Sequence, residues 1–309
     1  MKKIHFFPVL VMFVTVLSLI FVSCKKEEEK QIVKADLDFK NFEGFNVKIQ
    51  ENVDQTKSVG NDWLYFETRN DYETAVKVLS SSSDDTILPV FEKALSFRSM
   101  RTAFSESQRE AIAVYDDVLA TLLNPNGAIQ IGQYLFQIDT EKEKAHIFDL
   151  SSEKNSKAPM EFSTDESFFD YLDGKVTEEH EINRDEDILK STHTWEGSTG
   201  KVDCKVVYQR AVIYFSLLAK IKERTLIGNG GAVDIFLSTY PGTYTKNRKN
   251  AEKQQFDGYG DGGIENTYKY RPYSAACGLK QLYMCTNFYM KDGYQPTLEQ
   301  QLYIIKGQK

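Results

Sequence analysis

The clearest pattern along the chain is a change of hydrophobic period near residue 128. Upstream, apolar residues recur three and four apart. Tyr72, Val76 and Leu79 follow Asn70 and Glu73 at capping-box spacing. Ile112, Tyr115, Leu119 and Leu122, widened by Val118, follow Ser105 and Gln108 in the same relation. This spacing predicts one helix ending near Leu79 and a longer one from about Glu106 to Leu123. Pro89 opens a short helix between them that closes at Leu95. The run Ser80 to Asp85 breaks the first, and Asn124-Pro125-Asn126-Gly127 stops the last.

Beyond Ala128 the period is two. Residues 128–138 read as two strands meeting at Gly132, and His146-Ile147-Phe148 as a third. Asp165 is placed to cap a short helix carrying Phe168, Phe169 and Leu172, closed by Asp173-Gly174. The longest strand signal alternates from Val207 through Gln209, Ala211, Ile213, Phe215, Leu217 and Ala219 to Ile221. Further strands are expected at 232–239, 267–271, 280–290 and 299–306, separated by Gly- and Asn-rich turns. The fold class expected is α+β: a short helical region, then a mostly antiparallel β sandwich or open barrel. The chain divides on this reading into a leader (1–23), a polar, acidic tether (24–58), a helical region (59–127) and a mostly β region (128–309).

The leader changes the picture most. Lys2 and Lys3 precede an apolar run from Phe6 to Val22, and Ser23 then Cys24 follow. A basic start, a hydrophobic core and a small residue before cysteine resemble a bacterial lipoprotein signal, with Cys24 lipidated as the new N-terminus. The run of 17 also approaches the ~20 residues of a membrane span, so an uncleaved anchor is the alternative. Cleavage leaves 286 of the 309 residues and removes two lysines and no acid, taking the formal net charge from −7 to −9. That balance argues against a nucleic-acid partner and against adhesion to anionic lipid by charge alone. Lys25-Lys26-Glu27-Glu28-Glu29-Lys30 is a solvated tether, and it also resembles the surface-export signal of Bacteroidota lipoproteins. The address expected is the outer membrane, lipid-anchored and exposed at the cell surface.

Three cysteines remain after Cys24. Cys277 and Cys285 fit the two arms of a turn, where an oxidising compartment permits a disulfide, and Cys204 is left over. The scattered histidines and the lack of a CxxC argue against structural zinc.

Chemistry-bearing candidates are few. Ten of the seventeen tyrosines lie between Tyr240 and Tyr303. Six of them, Tyr240, Tyr244, Tyr259, Tyr268, Tyr270 and Tyr273, sit in glycine-rich sequence, where exposed rings would stack on sugars or anchor an interface. The alternative is that they pack as ordinary strand residues. Asp257, Asp261 and Glu265 in a glycine-rich stretch offer hard oxygen ligands for calcium, without EF-hand spacing; a flexible loop is the competing reading. No other cofactor is suggested. Asp165, Glu166 and Asp170 beside aromatics, and Glu196 after Trp195, are candidates for the carboxylate pair of a glycoside hydrolase. No nucleophile elbow or phosphate loop is present. Asp85-Thr86-Ile87 matches a short O-glycosylation pattern.

The helix end Leu122-Leu123-Asn124-Pro125-Asn126-Gly127, followed by Ile129-Gln130-Ile131-Gly132, is similar to a group of Bacteroidota surface lipoproteins sharing an L-N-x-x-G-x-I-Q-I-G turn and hairpin. The resemblance covers about a dozen residues plus the leader style, and it implies no catalytic residues. Three expectations follow: a non-enzymatic surface module that binds a glycan or another envelope protein, a polysaccharide hydrolase, or a structural envelope component. The first would be marked by tyrosines clustered on one β face.

Overall fold

The computed structural model describes residues 44–51, 62–81, 85–151, 158–175, 187–196, 200–226, 234–246, 253–261, 267–292 and 295–307. Cys24 and the charged run after it lie outside these residues. The described residues belong to one compact unit, Phe39–Lys309. No helix among them is long and apolar enough to cross a membrane. The unit is mostly β, in predominantly antiparallel sheets, and the sheets do not close into a barrel.

A six-stranded sheet runs in chain order: β1 (Val47–Glu51), β2 (Asp62–Phe66), β3 (Ala128–Ile131), β4 (Tyr134–Asp139), β5 (Lys144–Asp149) and β6 (Met160–Ser163). Its neighbours are antiparallel except β2 and β3, which are parallel. A parallel pair needs a crossover, and the helices supply it. They are α1 (Arg69–Leu79), α2 (Ile87–Leu95), α3 (Met100–Ala103), α4 (Glu106–Ala111) and α5 (Asp117–Leu122). Strand pairing therefore crosses the line drawn at residues 127 and 128.

Two helical expectations are corrected. The cap of α1 is Thr68 rather than Asn70: its Oγ1 accepts from the Asp71 N–H, and Asp71 accepts from the Thr68 N–H, each at 3.1 Å. The expected helix from Glu106 to Leu123 is two helices. Between them Ala113 takes φ +57°. Gln209 binds both sides of that break, accepting from the Tyr115 N–H at 2.7 Å and donating to the Ala113 carbonyl at 3.1 Å. Asp116 then caps α5 through the Val118 N–H. Tertiary bonds outcompete the continuous helix that the stripe alone favours.

The Asn124 to Gly132 segment is consumed by the fold. The Asn124 Oδ1 accepts from the N–H groups of Asn126 and Ala128, and its Nδ2 donates to the Asp62 carbonyl at 2.7 Å. Gly127 has φ +74°, and a Cβ there would lie 2.2 Å from the Ile138 carbonyl oxygen. Gln130 accepts from the Trp63 indole at 3.1 Å and donates to the Gly132 carbonyl at 3.0 Å. Gly132, at φ +56°, turns β3 into β4 as the sequence predicts.

After α6 (Phe168–Leu172), capped by Ser167 rather than Asp165, two four-stranded sheets follow. One has the order β12-β9-β8-β7, from β12 (Thr267–Ala275), β9 (Phe215–Leu226), β8 (Gly200–Arg210) and β7 (Lys190–Glu196). The other has the order β11-β10-β13-β14, from β11 (Lys253–Asp261), β10 (Asp234–Lys246), β13 (Leu279–Asp292) and β14 (Gln295–Lys306). Their facing sides share one core, with Val206, Leu217 and Ile221 from the first sheet against Leu237, Leu282 and Phe288 from the second.

The predicted strand from Val207 to Ile221 is a correction: the chain folds back at 211–214, making β8 and β9 a hairpin. Val212, fully buried, sits at φ +60°, a conformation costly for a β-branched residue. Its N–H donates to the Thr164 carbonyl at 3.2 Å and its carbonyl accepts from the Phe168 N–H at 3.0 Å. The neighbouring Ile213 carbonyl accepts from the Tyr72 hydroxyl at 3.1 Å.

Helices and sheet are joined by charge. The outward side chains of β8, β9 and β12 include Lys205, Lys220, Lys222, Lys269 and Arg271, and each meets a carboxylate from the helical segment. Lys205 binds Glu110, and Lys220 and Lys222 share Glu106. Lys269 bridges Asp85 at 2.7 Å and Asp117, which also binds Arg109 at 2.7 Å. Arg271 binds Asp116 at 2.9 Å and Asp85 at 3.0 Å.

Candidate functional site

Four of the six tyrosines expected to form a platform at 240–273 pack against the core instead. Tyr244 and Tyr273 are core residues, 8% and 4% exposed, with ring centroids 5.1 Å apart across the two sheets. Tyr273 also donates to the Cys277 carbonyl at 2.6 Å. Tyr268 and Tyr270 pack against the same core. The cause is strand alternation: Tyr268 and Tyr270 point inward on β12 while Lys269 and Arg271 point to the helices. A register shift between Tyr270 and Tyr273 restores Tyr273 to the inside. For Tyr240 and Tyr259 only the backbone is described, within β10 and β11.

A different set of tyrosines does gather. On β13, Leu282, Met284, Phe288 and Met290 face the core, which leaves Tyr283, Cys285, Asn287 and Tyr289 on the opposite face. Register places Ile305 opposite Tyr283, Tyr303 opposite Cys285 and Gln301 opposite Asn287 on β14. Tyr303 is 47% exposed. Ile188, also exposed, joins the same edge through paired backbone bonds to Ile305 at 2.8 and 2.9 Å. Amides thread the rings: Asn287 donates to the Tyr289 hydroxyl at 3.1 Å and accepts from Gln301 at 3.2 Å. Burial, with Cys285 and Tyr303 alongside, raises the Tyr283 phenol above its ordinary pKa. Burial also raises the Cys285 thiol, offset in part by a hydrogen bond to Tyr283. The period-two pattern over 281–290 carried this signal; a count of tyrosines by region did not.

Of the carboxylate candidates for hydrolysis, Asp165, Asp170 and Glu196 each lie beside a cation. Asp165 is bound by Arg210, with Lys306 at 3.6 Å. Glu196 pairs with Lys201 on exposed β7. The Asp170 carboxyl is raised, by burial above all, with Lys175 at 3.9 Å opposing the shift. Its neighbour Asp173 is lowered by hydrogen bonds from Lys175 and Arg69. These belong to a surface ion cluster around α6. A cavity of about 200 Å³ lies between Tyr115, Glu143, Lys190, Tyr208, Gln209 and Arg210. It is smaller than ordinary ligand pockets. Its charges are already engaged, Arg210 with Glu143 at 2.7 Å and Lys190 with the Tyr115 hydroxyl at 3.1 Å.

Among the described residues no cluster of His, Cys, Asp or Glu could hold a metal ion. Asp257 and Asp261 fall in β11 rather than in a loop. Extended backbone spreads them along about 13 Å instead of curling them round one calcium. Their side chains, and all of Glu265, lie outside the described residues.

Cys204, Cys277 and Cys285 are free thiols, which corrects the expected Cys277–Cys285 pairing. Cys277 lies in the turn before β13 and Cys285 lies within that strand. The stretch from Leu279 to Cys285 alone is about 20 Å long, far beyond disulfide reach. Asp85 of the O-glycosylation match is buried against Lys269 and Arg271, while Thr86 is exposed.

Among the described residues, the fold is β-rich and this face is an open aromatic sheet surface. No family model, curated protein or solved structure matches the chain.

Proposed function

We propose that the protein is a non-enzymatic binding module, a β-sandwich that presents the outward face of β13 and β14 to a glycan. The observation that carries this reading is the grouping of Tyr283, Tyr289 and Tyr303 on one sheet face with the Asn287 and Gln301 amides between them. Aromatic rings supply flat apolar platforms and amides supply hydrogen bonds in both directions, the combination a sugar ring requires. The opposite sheet of the stack is occupied by helices, so it offers no comparable surface.

The order Lys2-Lys3, apolar run, Ser23, Cys24 supports an N-terminal lipid anchor, and the charged residues 25–30 support display at the outer surface of an outer membrane. Lipid labelling of the wild type and Cys24→Ala tests the anchor; equal labelling of the two would overturn it. A glycan array probed with the protein, followed by titration of Tyr303→Ala and Tyr289→Ala, tests the face. Binding that survives both substitutions unchanged would refute the site.

A further inference from the structure

We infer that the ligand of this face is an uncharged, extended oligosaccharide lying along β13 and β14; this rests on the glycan reading above. The first observation is the distribution of charge. In a chain with 27% charged residues, the outward positions of β8, β9 and β12 carry Asp203, Lys205, Lys220, Lys222, Lys269 and Arg271. The outward positions described on β13 and β14, from Gln281 to Tyr289 and from Glu299 to Ile305, carry a single charge, Glu299, at the end opposite Tyr289. Ser238 and Thr243 continue the uncharged surface onto β10, opposite Asn287 and Tyr283. Among the described residues an acidic polysaccharide would find no cation on this face between Tyr283 and Tyr289, and desolvating its carboxylates without partners is costly. A neutral chain meets hydroxyls and amides that match its own.

The second observation is the spacing of the rings. Tyr283 and Tyr289 are six residues apart on one strand, about 20 Å. Tyr303, opposite Cys285, lies about 7 Å along from Tyr283 and one strand across. Platforms strung out in this way match successive units of a linear chain rather than one compact sugar. Cys285, 6% exposed between Tyr283 and Tyr303, is a built-in reporter beneath such a chain.

The test titrates the whole protein with neutral polysaccharides and with uronic-acid or sulfated chains. Cys285 alkylation is followed by mass spectrometry in parallel. The neutral chain is expected to bind at least tenfold tighter, to weaken about tenfold in Tyr303→Ala, and to slow modification of Cys285 in the wild type. Acidic chains binding as tightly as neutral ones would overturn this inference and leave the binding face standing. Glycan binding left unchanged by both Tyr303→Ala and Tyr289→Ala would overturn the face itself, as would binding of no glycan. A dimer dissociated by Tyr303→Ala would assign the face to a second copy and overturn both readings.

Discussion

The guanidinium of Arg271 grips the carboxylate of Asp116 with two hydrogen bonds, Nε to Oδ2 and Nη2 to Oδ1, each 2.9 Å long, with the two side chains 3% and 0% exposed. Tyr214 donates to the same carboxylate at 2.8 Å, and Ser216 donates as well. A residue at a helix cap and a residue on β12 are thus parts of one buried network, and α5 cannot leave the sheet without stranding a charge.

Removing one partner should therefore be severe. Asp116→Ala is expected to cost about 3–5 kcal/mol, because it leaves Arg271 buried and short of anions. Glu196→Ala, which breaks an exposed pair with Lys201, should cost about 0–1 kcal/mol. Denaturant titration of the two variants measures the difference; equal midpoints would show that the buried network adds no stability.

Acid should attack the same place. Burial pushes the Asp116 carboxyl up, but the Arg271 charge and the hydrogen bonds from Arg271, Ser216 and the Val118 N–H outweigh it and hold the carboxyl below the usual range. Asp117 is likewise raised by burial and lowered further by Lys269 and Arg109. A carboxyl with a depressed folded pKa stabilises the protein above its unfolded pKa of about 4 and loses that contribution as pH falls through the folded value. Stability should be flat with respect to these groups near neutrality and fall below about pH 4, by up to about 1.4 kcal/mol per pH unit per group. Asp116→Asn should flatten that acid limb, which urea titrations from pH 2 to 7 would reveal.

Gly127 and Gly132 separate two costs that are usually mixed. Both have positive φ, but a Cβ on Gly127 would strike the Ile138 carbonyl oxygen at 2.2 Å, whereas at Gly132 the nearest atom is 3.8 Å away. Gly132→Ala should cost about 1 kcal/mol, the backbone penalty alone. Gly127→Ala should cost at least about 3 kcal/mol, since the hairpin must shift. Melting temperatures of the two variants decide the matter.

The thiols give a fourth expectation. Unfolded without reductant, the protein should alkylate at Cys204, Cys277 and Cys285 alike. In the folded state all three should react slowly, because burial pushes Cys204 up to about 12 and Cys277 up to about 11 and raises Cys285. A Cys277–Cys285 disulfide in the peptide map would contradict the strand geometry.

Sequence alone reached the elements whose signals are local. The stop at Asn124 to Gly127, the turn at Gly132 and strands within 267–306 follow from turn chemistry and alternation. It missed what is decided at a distance. The break after Ala111 depends on Gln209, nearly a hundred positions away. The β8–β9 turn contains none of the residues that mark turns, so its alternating pattern reads straight through. For the site, the tyrosine-rich segment before Ala275 drew attention by count, yet each ring's direction is set by its parity against the core. Parity over Leu282 to Met290 was legible and names Tyr283 and Tyr289, whereas the pairing that brings Tyr303 beside them is not written locally.

Val212 finally bears on the order in which the chain folds. A hairpin is ordinarily among the earliest structures to form, since its partners are neighbours in sequence. Here the corner at Val212 and Ile213 is held by Thr164, Phe168 and Tyr72, the last of them 141 positions away. Fixing the tip of the β8–β9 hairpin with these bonds draws on residues far from it in sequence, so the corner is expected to lock late in folding, and a φ-value near one for a substitution at Val212 would contradict this.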